Sequence, residues 1–131
     1  MPGPLPGRGG PGPASAVAAA AFFLATNSLL LAAGPAPVRL QVAAREYSLT
    51  LSALHVKAGP AVVELVNYGQ DAHDLRLQRR GSRHIAGIAP VEAGKYADLS
   101  LRLAPGRYSL WCSLGNHAAL GMRATLVVTA R

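Results

Sequence analysis

Apolar and polar residues alternate through most of the chain after residue 37, as in β-strands with one buried and one exposed face. The segment 96–103 is a clear example, since Leu99, Leu101 and Leu103 fall on one face. No helical period persists between the alternating segments. The pattern predicts an all-β domain of about seven to eight short strands, folded as an antiparallel sandwich or barrel with Greek-key connections. The predicted strands are VRLQVAA (38–44), YSLTLSAL (47–54), AVVELVN (61–67), HDLRLQ (73–78), YADLSLRL (96–103), YSLWC (108–112) and MRATLVVTA (122–130).

Glycine, proline and asparagine mark the predicted turns between these strands. The segments VKAGP (56–60), NYGQDA (67–72) and APGR (104–107) are each predicted to form a turn or a loop. The stretch RRGSRHIAGIAPVEAGK (79–95) lacks regular alternation and predicts a long connection, with a turn at residues 92–94.

The first 36 residues differ in composition from the rest. Residues 1–13 are rich in glycine and proline, cannot form a packed core, and are predicted to be disordered. Residues 14–33 carry no charge, and the segment 14–36 is predicted to be a signal peptide or an N-terminal membrane anchor. Arg8 on its N-terminal side favours export of the following domain, residues 37–131. We expect a periplasmic or other extracytoplasmic protein, either released or attached through residues 14–33 to the outer face of the cytoplasmic membrane.

The chain is basic, with 13 lysine and arginine residues against 6 aspartate and glutamate residues and a formal net charge of +7. Such a charge favours acidic protein partners or anionic lipid headgroups. The arginine-rich stretch 76–83 either steers an acidic partner or is a plain solvated surface. No aromatic RNA-binding motif, zinc-finger spacing or helix-turn-helix pattern is present, so nucleic-acid binding is not predicted.

Cys112 is the only cysteine, so it has no internal disulfide partner in a chain that we expect to be exported. A lone thiol outside the cell is prone to oxidation, and metal ligation is one reason to keep it. Four residues separate Cys112 from His117, and four more separate His117 from Met122. Thiolate, imidazole and thioether suit copper, whose electron-transfer sites use two histidines, one cysteine and a weak axial methionine. His73 is the predicted second histidine, because it opens a strand at the end of the domain where Cys112 leaves one.

Two segments together resemble a known family. NYGQDAHDL (67–75) has an Asn-x-Gly turn before a histidine, and APGRYSLWCSLGNHAALGM (104–122) has a Gly-x-Tyr strand ending in cysteine, then a histidine and a Gly-Met pair. This combination resembles the cupredoxins, the small blue copper proteins that include plastocyanin, azurin and auracyanin. The resemblance spans residues 47–129 and implies a Greek-key β-sandwich with one type 1 copper ion under its loop-bearing end. The implied copper ligands are His73, Cys112, His117 and Met122.

The chain departs from the family pattern just before the loop histidine. The family usually has Pro-Gly there, and this chain has Gly115-Asn116. Asparagine tolerates a positive φ better than other non-glycine residues, so Asn116 is expected to hold the turn. The exchange bears on the stiffness of the loop and on the redox potential rather than on ligation.

Residues beside the ligands are expected to support them or to meet a partner. Asp74 is expected to accept a hydrogen bond from Ser113 and so to join two ligand segments. Trp111 is expected to point outward if Cys112 points inward, either as a second electron port or as cover for a sheet face. Electrons are expected to leave through His117, and the predicted docking residues are Ala118, Ala119, Leu120 and Trp111.

These observations predict an exported small blue copper protein that carries single electrons by Cu(II)/Cu(I) cycling. We expect a monomer whose partners are redox proteins, acidic ones among them, such as a cytochrome, an oxidase or a reductase. The alternative is a carrier or chaperone that delivers copper to an exported oxidase. The protein is not expected to be an enzyme, because the sequence lacks the His-x-His pairs that a multicopper oxidase needs and the second cysteine that a binuclear electron-entry site needs. His55 and His84 are predicted to be solvated.

Overall fold

The computed structural model describes residues 1–7, 9–15, 28 and 34–131. Contacts divide the chain into two units, Met1–Ala32 and Ala33–Arg131. The described residues of the first unit are exposed and have no regular secondary structure, and the disorder expected for residues 1–13 stays a prediction. The predicted signal peptide or anchor, residues 14–36, lies mostly outside the described residues. Within the described part of the chain, no helix is long and apolar enough to cross a membrane.

The second unit is built from nine strands, which is close to the number predicted. Their bounds are β1 (Val38–Arg45), β2 (Ser48–Leu51), β3 (His55–Lys57), β4 (Gly59–Asn67), β5 (His73–Arg79), β6 (Ile85–Val91), β7 (Tyr96–Leu103), β8 (Gly106–Trp111) and β9 (Arg123–Thr129).

The strands form the two sheets of a sandwich, in the orders β2-β1-β4-β7 and β3-β9-β8-β5-β6. The predicted β-sandwich is confirmed, but its sheets are mixed rather than antiparallel, because β1 pairs with β4 and β3 pairs with β9 in parallel. The chain passes through β3 in the second sheet before it returns to β4 in the first. That excursion is the long crossover that a parallel pair requires.

Two of the nine strands were not predicted. The segment 56–60 was expected to be a turn, but it holds most of the three-residue strand β3 and the start of β4. The segment 79–95 was expected to be a connection, but it contains β6. Gly87 and Pro90 break the alternation of β6, and proline is tolerated there because β6 is an edge strand. The turn expected at residues 92–94 is present, with a positive φ of 76° at Gly94.

The core lies between the two sheets and is mainly aliphatic. Every second residue of β4 is buried, including Ala61, Val63 and Leu65, and the second sheet contributes Leu75 and Leu110. Burying each such valine or leucine side chain contributes about 1.5–3 kcal/mol. The sandwich is thereby a fixed frame for the loops at the end where β5 starts and β8 finishes.

Candidate metal centre

The residues expected to bind metal meet at that end of the sandwich. His73 is the first residue of β5, and Cys112 directly follows β8. Since β5 and β8 are antiparallel neighbours, the start of one strand lies beside the finish of the other. His117 lies in the loop between β8 and β9, and Met122 ends that loop.

The nitrogen and sulfur atoms of three of these side chains converge. The Nδ1 atoms of His73 and His117 are 3.3 Å apart, and the Sγ atom of Cys112 is 3.6 Å from Nδ1 of His117. All three ligand atoms lie within 4.8 Å of one another. One ion bound at about 2 Å to nitrogen and about 2.3 Å to sulfur would hold its donors roughly 3.3–3.8 Å apart. The separations of 3.3 and 3.6 Å fall in this range, and together with the soft donor set they fit one copper ion.

Burial divides the cluster into an inner and an outer part. His73 and Cys112 are fully buried, whereas His117 is partly exposed. Burial also raises the pKa of the Cys112 thiol, so metal binding there must displace its proton. His55 and His84 are exposed and lie outside the cluster.

Met122 is fully buried where its loop meets β9. Its backbone closes the loop, because the Met122 N–H donates to the carbonyl of His117 at 3.1 Å and the Cys112 N–H donates to the carbonyl of Met122 at 3.2 Å. The structure thus holds Met122 beside the two loop ligands through the backbone. Its role as an axial ligand stays a prediction.

A bulge at the start of β5 brings two successive polar residues inside. The register against β6 shifts between His73 and Leu75, and the strand begins with three buried residues in a row. Asp74 is therefore buried as well as His73. The hydrogen bonds expected of it are present: its carboxyl accepts from the Ser113 N–H at 2.6 Å and from the Ser113 hydroxyl. Arg76 approaches the same carboxyl at 3.5 Å.

Asn116 does not hold the positive φ expected of it. Among the described residues no non-glycine residue has a positive φ, and Gly115 adopts 47° instead. The N–H of His117 donates to the carbonyl of Leu114, which closes a turn with Gly115 at its first central position. The residue with left-handed backbone is therefore Gly115, one position earlier than expected, where the absence of a Cβ allows this conformation.

Glu46 and Tyr47 belong to the site and were missed by the sequence reasoning. They form the turn between β1 and β2, and Oε1 of Glu46 lies 2.8 Å from Nε2 of His73. Nothing local in the sequence indicates this contact, because a glutamate in a hairpin turn is usually exposed to solvent. Backbone N–H donors from Asp71 and Gln70, together with the His73 hydrogen bond, lower the pKa of Glu46 to about 2. The carboxylate is therefore ionised at neutral pH.

The residues expected to meet a partner are distributed over the same end. Trp111 is partly exposed on the opposite side of its strand from Cys112, as predicted. It lines a groove of about 620 Å³ together with Ala118 of the metal loop. Ala119 and Leu120 are exposed. Their role in docking stays a prediction.

The basic stretch 76–83 is mostly remote from this end. Because β5 starts at the metal cluster and rises about 3.3 Å per residue, its last residue, Arg79, lies roughly 20 Å from His73 along the strand. Of the four arginines in the stretch, Arg76 is the one beside the cluster.

Comparisons with known proteins agree with this architecture. No protein-family model and no curated protein matches the sequence. Among solved structures, the chain resembles dithionite-reduced auracyanin from Roseiflexus castenholzii with a TM-score of 0.59 and 17% identity, over 73% of this chain and 99% of that one. It resembles rusticyanin from Thiobacillus ferrooxidans with a TM-score of 0.61 and 19% identity, over 73% of this chain and 79% of that one.

A similar fold also occurs as part of a larger protein. A multicopper oxidase matches with a TM-score of 0.57 and 14% identity, over 73% of this chain but only 45% of the oxidase. Identities this low show the fold alone. The chain therefore has a cupredoxin-like fold, and its His73–Cys112–His117 cluster fits a single type 1 copper ion.

Proposed function

We propose that this protein is a small blue copper protein that carries single electrons between redox partners. One observation supports the proposal above all: Nδ1 of His73, Sγ of Cys112 and Nδ1 of His117 converge within 4.8 Å at one end of a cupredoxin-like sandwich. Two histidines and a cysteine are the donors of copper sites tuned for electron transfer.

The chain's own part in the reaction is to hold the donors still. When bound, copper supplies the one-electron couple between Cu(II) and Cu(I). His73 and Cys112 are fixed by their places in and beside strands, and Met122 is tied to both loop ligands by backbone hydrogen bonds. A donor set that the fold holds in this way rearranges little when the charge of the ion changes, which favours fast transfer.

Electrons enter and leave through His117 in this proposal. It is the partly exposed member of the cluster, and the exposed residues Ala119 and Leu120 lie beside it. Small and apolar side chains permit the close and brief contacts of weak redox encounters. The net charge of +7 supports an acidic partner, which we expect to be a redox protein such as a cytochrome, an oxidase or a reductase.

Export of the domain is part of the proposal. The uncharged segment 14–33, preceded by Arg8, supports a signal peptide or an anchor that places residues 37–131 outside the cytoplasm. Delivery of copper to an exported oxidase remains the alternative, since the same donors and the partly exposed His117 serve transfer of the ion itself.

Copper titration of the full chain tests the proposal. Addition of Cu(II) is expected to give an intense blue or green thiolate-to-copper band, reversible on reduction and reoxidation. Cys112→Ser is expected to lose the band, and His84→Ala, which removes an exposed histidine outside the cluster, is expected to keep it. A colourless protein with a free thiol would refute the proposal. Rapid release of Cu(I) to a chelator, with slow redox cycling, would favour copper delivery instead.

A further inference from the structure

The turn between β1 and β2, residues 46–47, contacts both histidines of the metal cluster. Oε1 of Glu46 lies 2.8 Å from Nε2 of His73. The ring centroid of Tyr47 lies 5.1 Å from that of His117, with the two planes tilted by 53°. One two-residue turn, distant in sequence from every predicted ligand, thus touches a histidine in each ligand-bearing segment.

The Glu46 carboxylate occupies a place that other elements build for it. The N–H groups of Gln70 and Asp71 donate to it at 2.9 and 2.7 Å. Gly69 makes room for it, because a Cβ at Gly69 would overlap the carboxylate oxygens. The side chain is only 24% exposed. The loop before β5 therefore fixes the carboxylate independently of any metal ion.

This contact decides which nitrogen of His73 carries a proton. A carboxylate only accepts hydrogen bonds, so the nitrogen facing it, Nε2, must be the donor. The other nitrogen, Nδ1, faces His117 and keeps its lone pair for a metal. A carboxylate on the far nitrogen of a ligand histidine fixes the ring and raises its basicity. Its negative charge also favours the more highly charged ion, Cu(II), over Cu(I).

Close packing ties the same turn to the loop that carries the other ligands. Gly121, which precedes Met122, has a φ of 124°, and a Cβ there would lie 2.8 Å from the carbonyl oxygen of Tyr47. The turn can approach the metal loop this closely because Gly121 has no side chain. Contact between the Tyr47 ring and His117 follows from this approach.

We propose that the β1–β2 turn is part of the copper centre: Glu46 positions His73 with Nδ1 toward the ion and favours Cu(II), and Tyr47 holds the ring of His117. This inference rests on the proposed function. Glu46 acts through His73 and is a positioning residue. This role requires no bond to be made or broken; bound copper would supply the one-electron couple, taking the electron from one redox partner and passing it to another.

Glu46→Gln tests the charge, with Glu64→Gln as its matched control. Glu64→Gln makes the same charge change on β4, where Glu64 accepts a hydrogen bond from Gln41 of the neighbouring strand β1. In the copper-loaded full chain, Glu46→Gln is expected to lower the affinity for Cu(II) relative to Cu(I) by about tenfold. That ratio corresponds to a reduction potential higher by about 59 mV for one electron. Glu64→Gln is expected to leave the potential unchanged.

Gly69→Ala tests the position of the carboxylate without removing its charge. The added methyl would take the place of the carboxylate oxygens, which lie at the end of a flexible side chain and can move away. Gly69 has no positive φ, so alanine strains no backbone there. The potential is expected to rise as in Glu46→Gln, and the copper spectrum to change with it.

A measurement on the copper-free protein tests the positioning role of Glu46 separately from the proposed function. Nitrogen-15 NMR of the metal-free chain is expected to show His73 protonated at Nε2, and a mixture of tautomers in Glu46→Ala. Protonation at Nδ1 in the wild type would overturn the inference. So would a blue wild-type protein whose potential is unchanged in both Glu46→Gln and Gly69→Ala. A wild-type chain that stays colourless with copper would instead refute the proposed function, and the tautomer of His73 would still decide the role of Glu46.

Discussion

At the scale of single residues, polar partners from outside the metal cluster fix the segments that carry it. Asp74 is almost fully buried beside His73 and accepts two hydrogen bonds from Ser113, the neighbour of Cys112. Glu46 is held by two backbone N–H groups and in turn holds His73. Two carboxyl groups thus join segments that are far apart in sequence, which fixes the cluster through its neighbours.

Removing the hydroxyl of Ser113 is expected to destabilise the metal-free protein. Ser113→Ala keeps the backbone N–H that donates to Asp74 but loses the hydroxyl donor, so the free energy of unfolding should fall by about 1 kcal/mol. Urea denaturation measures this change. Ser109→Ala, at an exposed serine of β8, serves as the control and should change stability less. Equal changes in the two variants, with an unaltered copper spectrum and potential in Ser113→Ala, would show that the hydrogen bond does not support the site.

Glu46 is expected to contribute to stability in acid in a defined direction. Its pKa is lowered from an ordinary value of 4.5 to about 2 in the folded protein. Its ionised form therefore stabilises the fold above about pH 4.5, and this contribution is lost as the pH falls from 4.5 towards 2. The unfolding free energy of Glu46→Gln should thus fall less steeply over this range than that of the wild type. His73 contacts the side chain at position 46, so the difference between the two proteins reports the Glu46–His73 pair. Parallel profiles would contradict the lowered pKa.

At the scale of elements, the site depends on how strands end. The bulge at the start of β5 turns both His73 and Asp74 inward, although ordinary alternation would send one of them outward. The loop after β8 turns at Gly115 and again at Gly121, just before its end, and both glycines have a positive φ. The cluster is therefore built from irregular backbone at the margins of regular strands.

Gly115 and Asn116 are expected to respond differently to alanine. Gly115→Ala places a Cβ at a φ of 47° and should cost about 1 kcal/mol of unfolding free energy, measured by urea denaturation. Gly115→Asn should cost less, since asparagine tolerates this region better. Asn116→Ala is the matched control, because Asn116 has no positive φ, and should cost little. A larger loss in Asn116→Ala than in Gly115→Ala would mean that the left-handed position is at residue 116.

Strands were predicted correctly where apolar and polar residues alternate regularly, and were missed where glycine or proline interrupts that alternation. β7 and β9 were recognised from their alternation, whereas β6 is an edge strand interrupted by Gly87 and Pro90. The two histidines and the cysteine of the cluster were predicted because each lies in a recognisable local motif. Glu46 was not found, since its contact depends on a pairing between β1 and β4 that no local pattern specifies.

At the scale of the whole molecule, positive charge is spread over both ends of the sandwich. Arg45 ends β1 next to the turn at residues 46–47, whereas Arg80 follows β5 at the end away from the cluster. Arginines that are adjacent in the sequence do not therefore make a basic ring around His117. This distribution could not be predicted from the sequence, because the direction of β5 relative to the loops depends on the assembled sheets.

Small charged redox reagents are expected to reveal the overall charge. With a net charge of +7, oxidation of the Cu(I) protein by ferricyanide should slow as ionic strength rises, and oxidation by a cationic cobalt(III) complex should accelerate. Stopped-flow absorbance measures both rates. Arg45→Glu and Arg80→Glu change the net charge equally, and the first should slow ferricyanide more because Arg45 lies nearer the cluster. Equal effects would show that only the total charge matters.

The close fit of Gly69 against Glu46 limits how this centre can be transplanted. The contacts of the proposed copper centre come from three separate segments, at residues 46–47, 67–74 and 112–122. Grafting the loop 112–122 and one histidine onto another sandwich would transfer donors without the carboxylate that orients one of them. A host that carries a side chain at the position of Gly69 would exclude that carboxylate even if a glutamate were supplied. Engineering this copper centre elsewhere thus requires a hairpin, a glycine and a loop to be moved together.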